Sequence, residues 1–166
     1  MAAGSTYTPI ATTTLSSAAA SVTFSSIPQG YTDLVLITST ASDISSDTNH
    51  ILCQFNPDSS SNYSSTFLYG TGSSAASGRA SNASGCFIGR HNPTEYGTGI
   101  THIQNYSNTT TYKSVLSRGG VASSLLIAYV NTWRNTSAIT SMTLTPVSAS
   151  TFDAGSTFTL YGITAA

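Results

Sequence analysis

Apolar and polar residues alternate with a period of two along most of this chain. Val22 and Phe24 are flanked by Ser21, Thr23 and Ser25, and Ile51, Cys53 and Phe55 by His50, Leu52 and Gln54. Met142 and Leu144 alternate with Thr143 and Thr145, and Phe158 and Leu160 with Thr157, Thr159 and Tyr161. Successive side chains of a strand point to opposite faces, so this pattern predicts half-buried strands rather than helices. Enrichment in Thr, Val, Ile and Tyr agrees.

Two runs are continuously apolar, Leu34 to Ile37 and Leu125 to Val130. Strands covered on both faces have this character. Val121, Leu125 and Ala128 also stand at helical spacing, but the second run is short and follows Gly119 and Gly120, which favours a strand. Turn residues separate the runs at Pro28-Gln29-Gly30, Asn56-Pro57-Asp58, Gly70-Thr71-Gly72, Asn92-Pro93, Gly119-Gly120 and Ala154-Gly155. Nine to eleven short strands are expected, in one antiparallel all-β sandwich of jelly-roll type. Ser73 to Ser84 is small and polar and is expected to be a long loop. Residues 1–20 are expected to form an N-terminal arm or first strand, and residues 21–166 the sandwich.

Composition narrows the function classes. At 166 residues one domain accounts for the chain, and it buries roughly 70% of its unfolded surface without needing a metal or disulfide. Ser and Thr make up about a third of the residues, and only 7% are charged, against about 25% in ordinary domains. Nine Tyr, six Phe and one Trp supply a core, which separates the chain from disordered polar sequences. Four Arg and one Lys are scattered singly, so phosphate-driven nucleic-acid binding is not expected. No run approaches a membrane-spanning length. Met1 to Leu15 has neither a basic start nor an apolar core, so it is not read as a secretory signal. Synthesis in a cytoplasm is expected, with the sequons at Asn62, Asn82, Asn105, Asn108 and Asn135 unmodified.

Candidate chemistry is thin. No Gly-x-Ser-x-Gly elbow occurs among about thirty serines. Asp43 and Asp47 could act as paired carboxylates, but both stand in a Ser-rich turn. A metal site from His91, Glu95 and His102 is conceivable, but Pro93 argues against a helix there and surface-loop roles account for these residues more simply. No metal or other cofactor is expected. Cys53 shares a strand face with Ile51 and Phe55 and is expected to be a buried, reduced core thiol, as is Cys86 before Phe87-Ile88, with a disulfide between the two as the alternative. Arg118, Trp133 and Arg134 are candidate interface anchors, because Arg and Trp are favoured there. A strand-end arginine and a core tryptophan are the plainer alternatives.

Longer stretches carry a resemblance. Ser5 to Leu15, Val22 to Leu36, Gln54 to Asn56, Asn62 to Leu68 and the closing Gly155-Ser-Thr-Phe-Thr-Leu-Tyr-Gly-Ile resemble small β-sandwich virion proteins of tailed bacteriophages. The resemblance spans almost the whole chain, and its closing motif is the most specific part. It implies a non-enzymatic virion component: a head decoration (cement) protein, bound as a homotrimer to the major capsid protein. Thr6, Tyr7, Pro9, Ile10 and Leu15 would then belong to an arm lying along the capsid. The alternative within the virion is a tail-fibre or tail-tip adhesin, with Tyr63, Tyr69, Tyr96 and Trp133 stacking on host sugars. Outside the virion, a cellular sugar-binding module or an enzyme stays open. Few charges, none clustered, imply attachment through apolar area, hydrogen bonds and backbone pairing rather than ion pairs.

Overall fold

The computed structural model describes residues 6–43, 49–93, 95–147 and 151–164. Its described elements are twelve strands: Tyr7–Thr14 (β1), Val22–Phe24 (β2), Asp33–Thr40 (β3), Asn49–Phe55 (β4), Tyr63–Gly70 (β5), Ala75–Ala83 (β6), Cys86–His91 (β7), Gly97–Ile103 (β8), Lys113–Val121 (β9), Leu125–Trp133 (β10), Met142–Pro146 (β11) and Thr157–Ile163 (β12). They form an eight-stranded sheet in the order β1-β12-β3-β8-β9-β10-β5-β6 and a four-stranded sheet in the order β2-β11-β4-β7. All the strand pairs are antiparallel. The all-β sandwich follows from the alternation. The sheets are unequal, whereas a jelly roll divides eight strands over two sheets.

Burial tracks the period of two. In β4 the buried positions Asn49, Ile51, Cys53 and Phe55 alternate with half-buried ones, and in β12 Phe158, Leu160 and Gly162 do the same. The inward residues of both sheets make one core around Phe55, Tyr63, Trp133, Leu144, Phe158 and Leu160. Tyr63 and Trp133 rings lie nearly parallel, 6.2 Å apart. Apolar burial of this kind contributes on the order of 25 cal/mol per Å².

Where β7 crosses the large sheet, bulky side chains give way to small ones. A Cβ on Gly97 would strike the Arg90 carbonyl, and Ser117 Oγ donates to the Ile88 carbonyl. Asn131 Nδ2 donates to the Phe87 carbonyl at 3.0 Å. The interior of the large sheet thereby satisfies carbonyls on the otherwise open edge of β7, as buried backbone groups require.

Three expectations change and one is narrowed. Ala75–Ala83, expected in a loop, is a nine-residue strand. Its residues are small because they line an edge rather than a core. Of the arm or first strand expected at the N-terminus, Tyr7–Thr14 is the first strand: it pairs along β12, and Ile10, Ala11 and Leu15 pack against the core. Gly119 and Gly120 lie inside β9, and the chain turns at residues 122–124. A Cβ on Gly119 would meet the Thr98 carbonyl, so close approach of the neighbouring strand, not a turn, needs the glycine. Twelve strands stand among the described residues, above the nine to eleven expected. Leu125–Trp133 is a strand, as favoured over the helix.

Candidate interaction surface

One face of the eight-stranded sheet packs on the core and the other is largely exposed, although Val35 on it is buried. Strand pairing fixes what lies on this outer face, because residues directly opposite in an antiparallel ladder share a side. Val35, His102, Leu116 and Val130 form one row across β3, β8, β9 and β10. Ile37, Ile100, Arg118, Ala128 and Leu68 form the next, reaching β5. Leu126 is 63% exposed, Leu68 58%, Val130 56%, Ile37 43% and Leu116 40%. The face is therefore aliphatic over five adjacent strands. Monomeric proteins rarely leave so continuous an apolar patch uncovered, and such patches mark interaction sites.

Arg118 stands in the middle of this patch. On one side of it, Tyr7, Val35, Leu116 and Val130 border a depression of about 400 Å³. On the other, Ile37, Ile100 and Leu126 border one of about 660 Å³. His102 marks one margin of the patch, with Nε2 3.0 Å from Asp33 Oδ2, while Asp33 Oδ1 accepts the Asn105 backbone N–H at 2.7 Å. Arginine among aliphatic side chains, with tyrosine beside it, is the composition favoured at the centre of protein interfaces.

The residues expected at an interface divide. Tyr7 is exposed, in edge contact with Tyr161, and shares the depression with Arg118. Pro9 pairs with Tyr161, which pairs with Val35, so it extends the first row toward the sheet edge. Thr6 is exposed just before β1. Ile10 and Leu15 pack on the core instead. Trp133 is fully buried: along β10, Ile127, Tyr129, Asn131 and Trp133 point inward while Leu126, Ala128 and Val130 point outward. It anchors the core and offers no surface. Arg134 is half-buried and holds the chain locally, donating to Ser64 Oγ at 3.1 Å, the Ser61 carbonyl at 2.7 Å and Asn82 Oδ1 at 2.9 Å.

No known family model, curated protein or solved structure matches this chain.

The other candidate chemistry is dispersed. His91 is buried inside the sandwich, in edge contact with Phe152, whereas His102 is on the outer face and Glu95 Oε2 accepts from Ser123 Oγ. These three do not converge, and no cluster of three metal-ligating side chains occurs among the described residues. Burial lowers the His91 pKa to about 4. Burial, with the nearby charges of Arg90 and His91, does the same for His50. Ser42 Oγ and His91 Nε2 are buried without hydrogen-bond partners, so they are not coupled as nucleophile and base. Asp43 Oδ1 accepts the Thr151 N–H at 3.0 Å, and Asp47 lies outside the described residues, as do residues 1–5 of the expected arm. Cys53 and Cys86 sit opposite each other across β4 and β7 as free thiols, whose pKa values burial raises. Among the described residues, no helix is long and apolar enough to cross a membrane.

The aliphatic face itself was missed in sequence, although its signal was present. The two continuous apolar runs were read as strands covered on both sides. The first is covered on both sides from Leu34 to Leu36, and Ile37 alone is exposed; the second is covered on one side, with Leu126 and Val130 exposed on the other.

Proposed function

We propose that this chain is a non-enzymatic structural protein of a tailed-bacteriophage virion, attached to the outside of the head through the outer face of its eight-stranded sheet. One observation carries the reading: β10 has the sequence of a strand apolar on both sides, yet Leu126 and Val130 on its outer side are exposed, beside Ile37, Leu68 and Leu116 on neighbouring strands. A surface of that composition is stabilised by being covered. A lattice of major capsid protein would cover it, with Arg118 at its centre and Tyr7 at its margin. The resemblance of the closing strand and its neighbours to phage virion sandwiches supplies the setting.

Charge supports the same mode of attachment. The formal net charge is -1, and the patch holds one arginine among aliphatic side chains. Area and hydrogen bonds therefore dominate, and salt screens these weakly. The adhesin alternative loses two of its four aromatic positions, because Tyr63 and Trp133 are in the core, while Tyr69 is half-buried and Tyr96 is exposed.

The test is co-sedimentation of purified protein with phage heads lacking it, followed by imaging. Binding spread over the head, little changed between low and about 0.5 M salt, and lost in Leu126→Lys and Val130→Lys, is the expected result. Binding at one pole, release by salt, or full binding by both variants would overturn the reading.

A further inference from the structure

A sandwich of two open sheets has four edge strands, and unpaired edges recruit other chains unless something blocks them. Three of the four are blocked. On β1, Pro9 has no N–H to offer, and the ladder to β12 is irregular between Pro9 and Ala11. Edge β2 is three residues long. Edge β7 lies against the large sheet, its carbonyls taken by Ser117 and Asn131. Edge β6 has no proline, is not short and has no sheet packed over its edge. It runs nine residues without proline, pairs with β5 alone, and is exposed at most positions. Its register with β5 is regular from Ala75 to Ser81 and breaks only beyond, where Asn82 has a φ of 55°.

We infer that β6 is a self-association edge, pairing antiparallel with β6 of a second copy about a twofold axis at Gly78. The occupant is set by exclusion and by side chains. No other edge among the described strands is free to pair. An added foreign strand draws its specificity from pockets between side chains, and Ala, Ser and Gly make none.

The register follows from symmetry and charge. An antiparallel twofold stands normal to the sheet and preserves its faces, so residues of the same parity must lie opposite. Centring on Arg79 would set that guanidinium against its own copy, which is unfavourable. Centring on Gly78 sets Arg79 opposite Ser77 and pairs Ala75 with Ser81, so the paired segment coincides with the regular part of β6. Because the axis preserves faces, the aliphatic patches of both copies fall on one side of a continuous sheet. Two linked patches bind a lattice more tightly than one. The pairing stands independently of the virion reading.

Sedimentation velocity of the full chain through the micromolar and millimolar range tests it. A reversible monomer–dimer equilibrium is expected. Ser77→Lys places like charge opposite Arg79 twice and should weaken the dimer several-fold. Ser77→Asp places opposite charge there and should strengthen it. Both side chains are solvent-facing, so melting curves should match the wild type; Ser77→Asp carries the test if the lysine variant does not fold. A monomer at every concentration, a trimer, or a dimer indifferent to the sign of charge at position 77 would overturn the inference.

Discussion

The indole N–H of Trp133 donates to Asp58 Oδ2 at 2.8 Å. The same oxygen accepts Asn62 Nδ2 at 3.1 Å, and Oδ1 accepts the Ser60 N–H at 2.9 Å. A partly exposed turn carboxylate thus satisfies the polar atom of the largest core side chain. Asp58→Ala leaves a buried donor unpaired and should cost about 1–3 kcal/mol of stability. Urea denaturation measures this; a loss below about 0.5 kcal/mol would show that water replaces the carboxylate.

Acid should weaken the fold in two stages. His50 and His91 have pKa values near 4 when folded, against 6.5 for the free side chain, chiefly because burial disfavours their charged forms. The unfolded chain then binds more protons between these values, so stability falls as pH drops from about 6.5 to about 4. The Asp58 carboxyl adds a lower stage. Burial raises its pKa, but hydrogen bonds from Asn62, Trp133 and Ser60 outweigh that and hold it at about 2. Its contribution is present above the ordinary value of 3.8 and is lost as pH falls toward 2. Denaturant midpoints that stay flat between pH 7 and 4 would contradict the histidine part.

Neighbouring residues on β10 should respond oppositely to truncation. Ile127 is 1% exposed and Leu126 63%. Ile127→Ala opens a cavity and should cost about 2–5 kcal/mol. Leu126→Ser should change stability by no more than about 0.5 kcal/mol while reducing attachment to a partner. Thermal melts check the first pair of values. Comparable losses for both variants would mean that the outer face is already covered in the free protein.

Deleting residues 7–14 should destabilise the sandwich. The strand pairs along β12 from Tyr7 to Thr14, and Ile10 and Ala11 pack on the core. Its loss would bare β12, whose Phe158 and Leu160 are core residues, as a new edge. A lowered melting temperature and concentration-dependent aggregation are expected. An unchanged melt would show that Tyr7–Thr14 acts as a detachable arm.

The chain's local pattern determined which segments are strands wherever one side is apolar and the other polar, because burial of alternate residues leaves that imprint. It identified β2, β4, β11 and β12, placed Cys53 in the core, and found the turns at Asn56-Pro57 and Ala154-Gly155, where Asn56 and Gly155 have positive φ. It pointed to a loop at β6, whose side chains bury little and so carry no alternation; only the ladder to β5 makes Ala75–Ala83 a strand. It was ambiguous for Gly119, where close strand approach and a turn demand the same residue. Which apolar side chains meet water was decided by tertiary structure alone. Trp133 and Leu126 are both large and apolar on one strand, yet their parity relative to the small sheet buries the first and leaves the second bare. That choice depends on where eight strands and four are stacked, a long-range relation that no local run of sequence encodes.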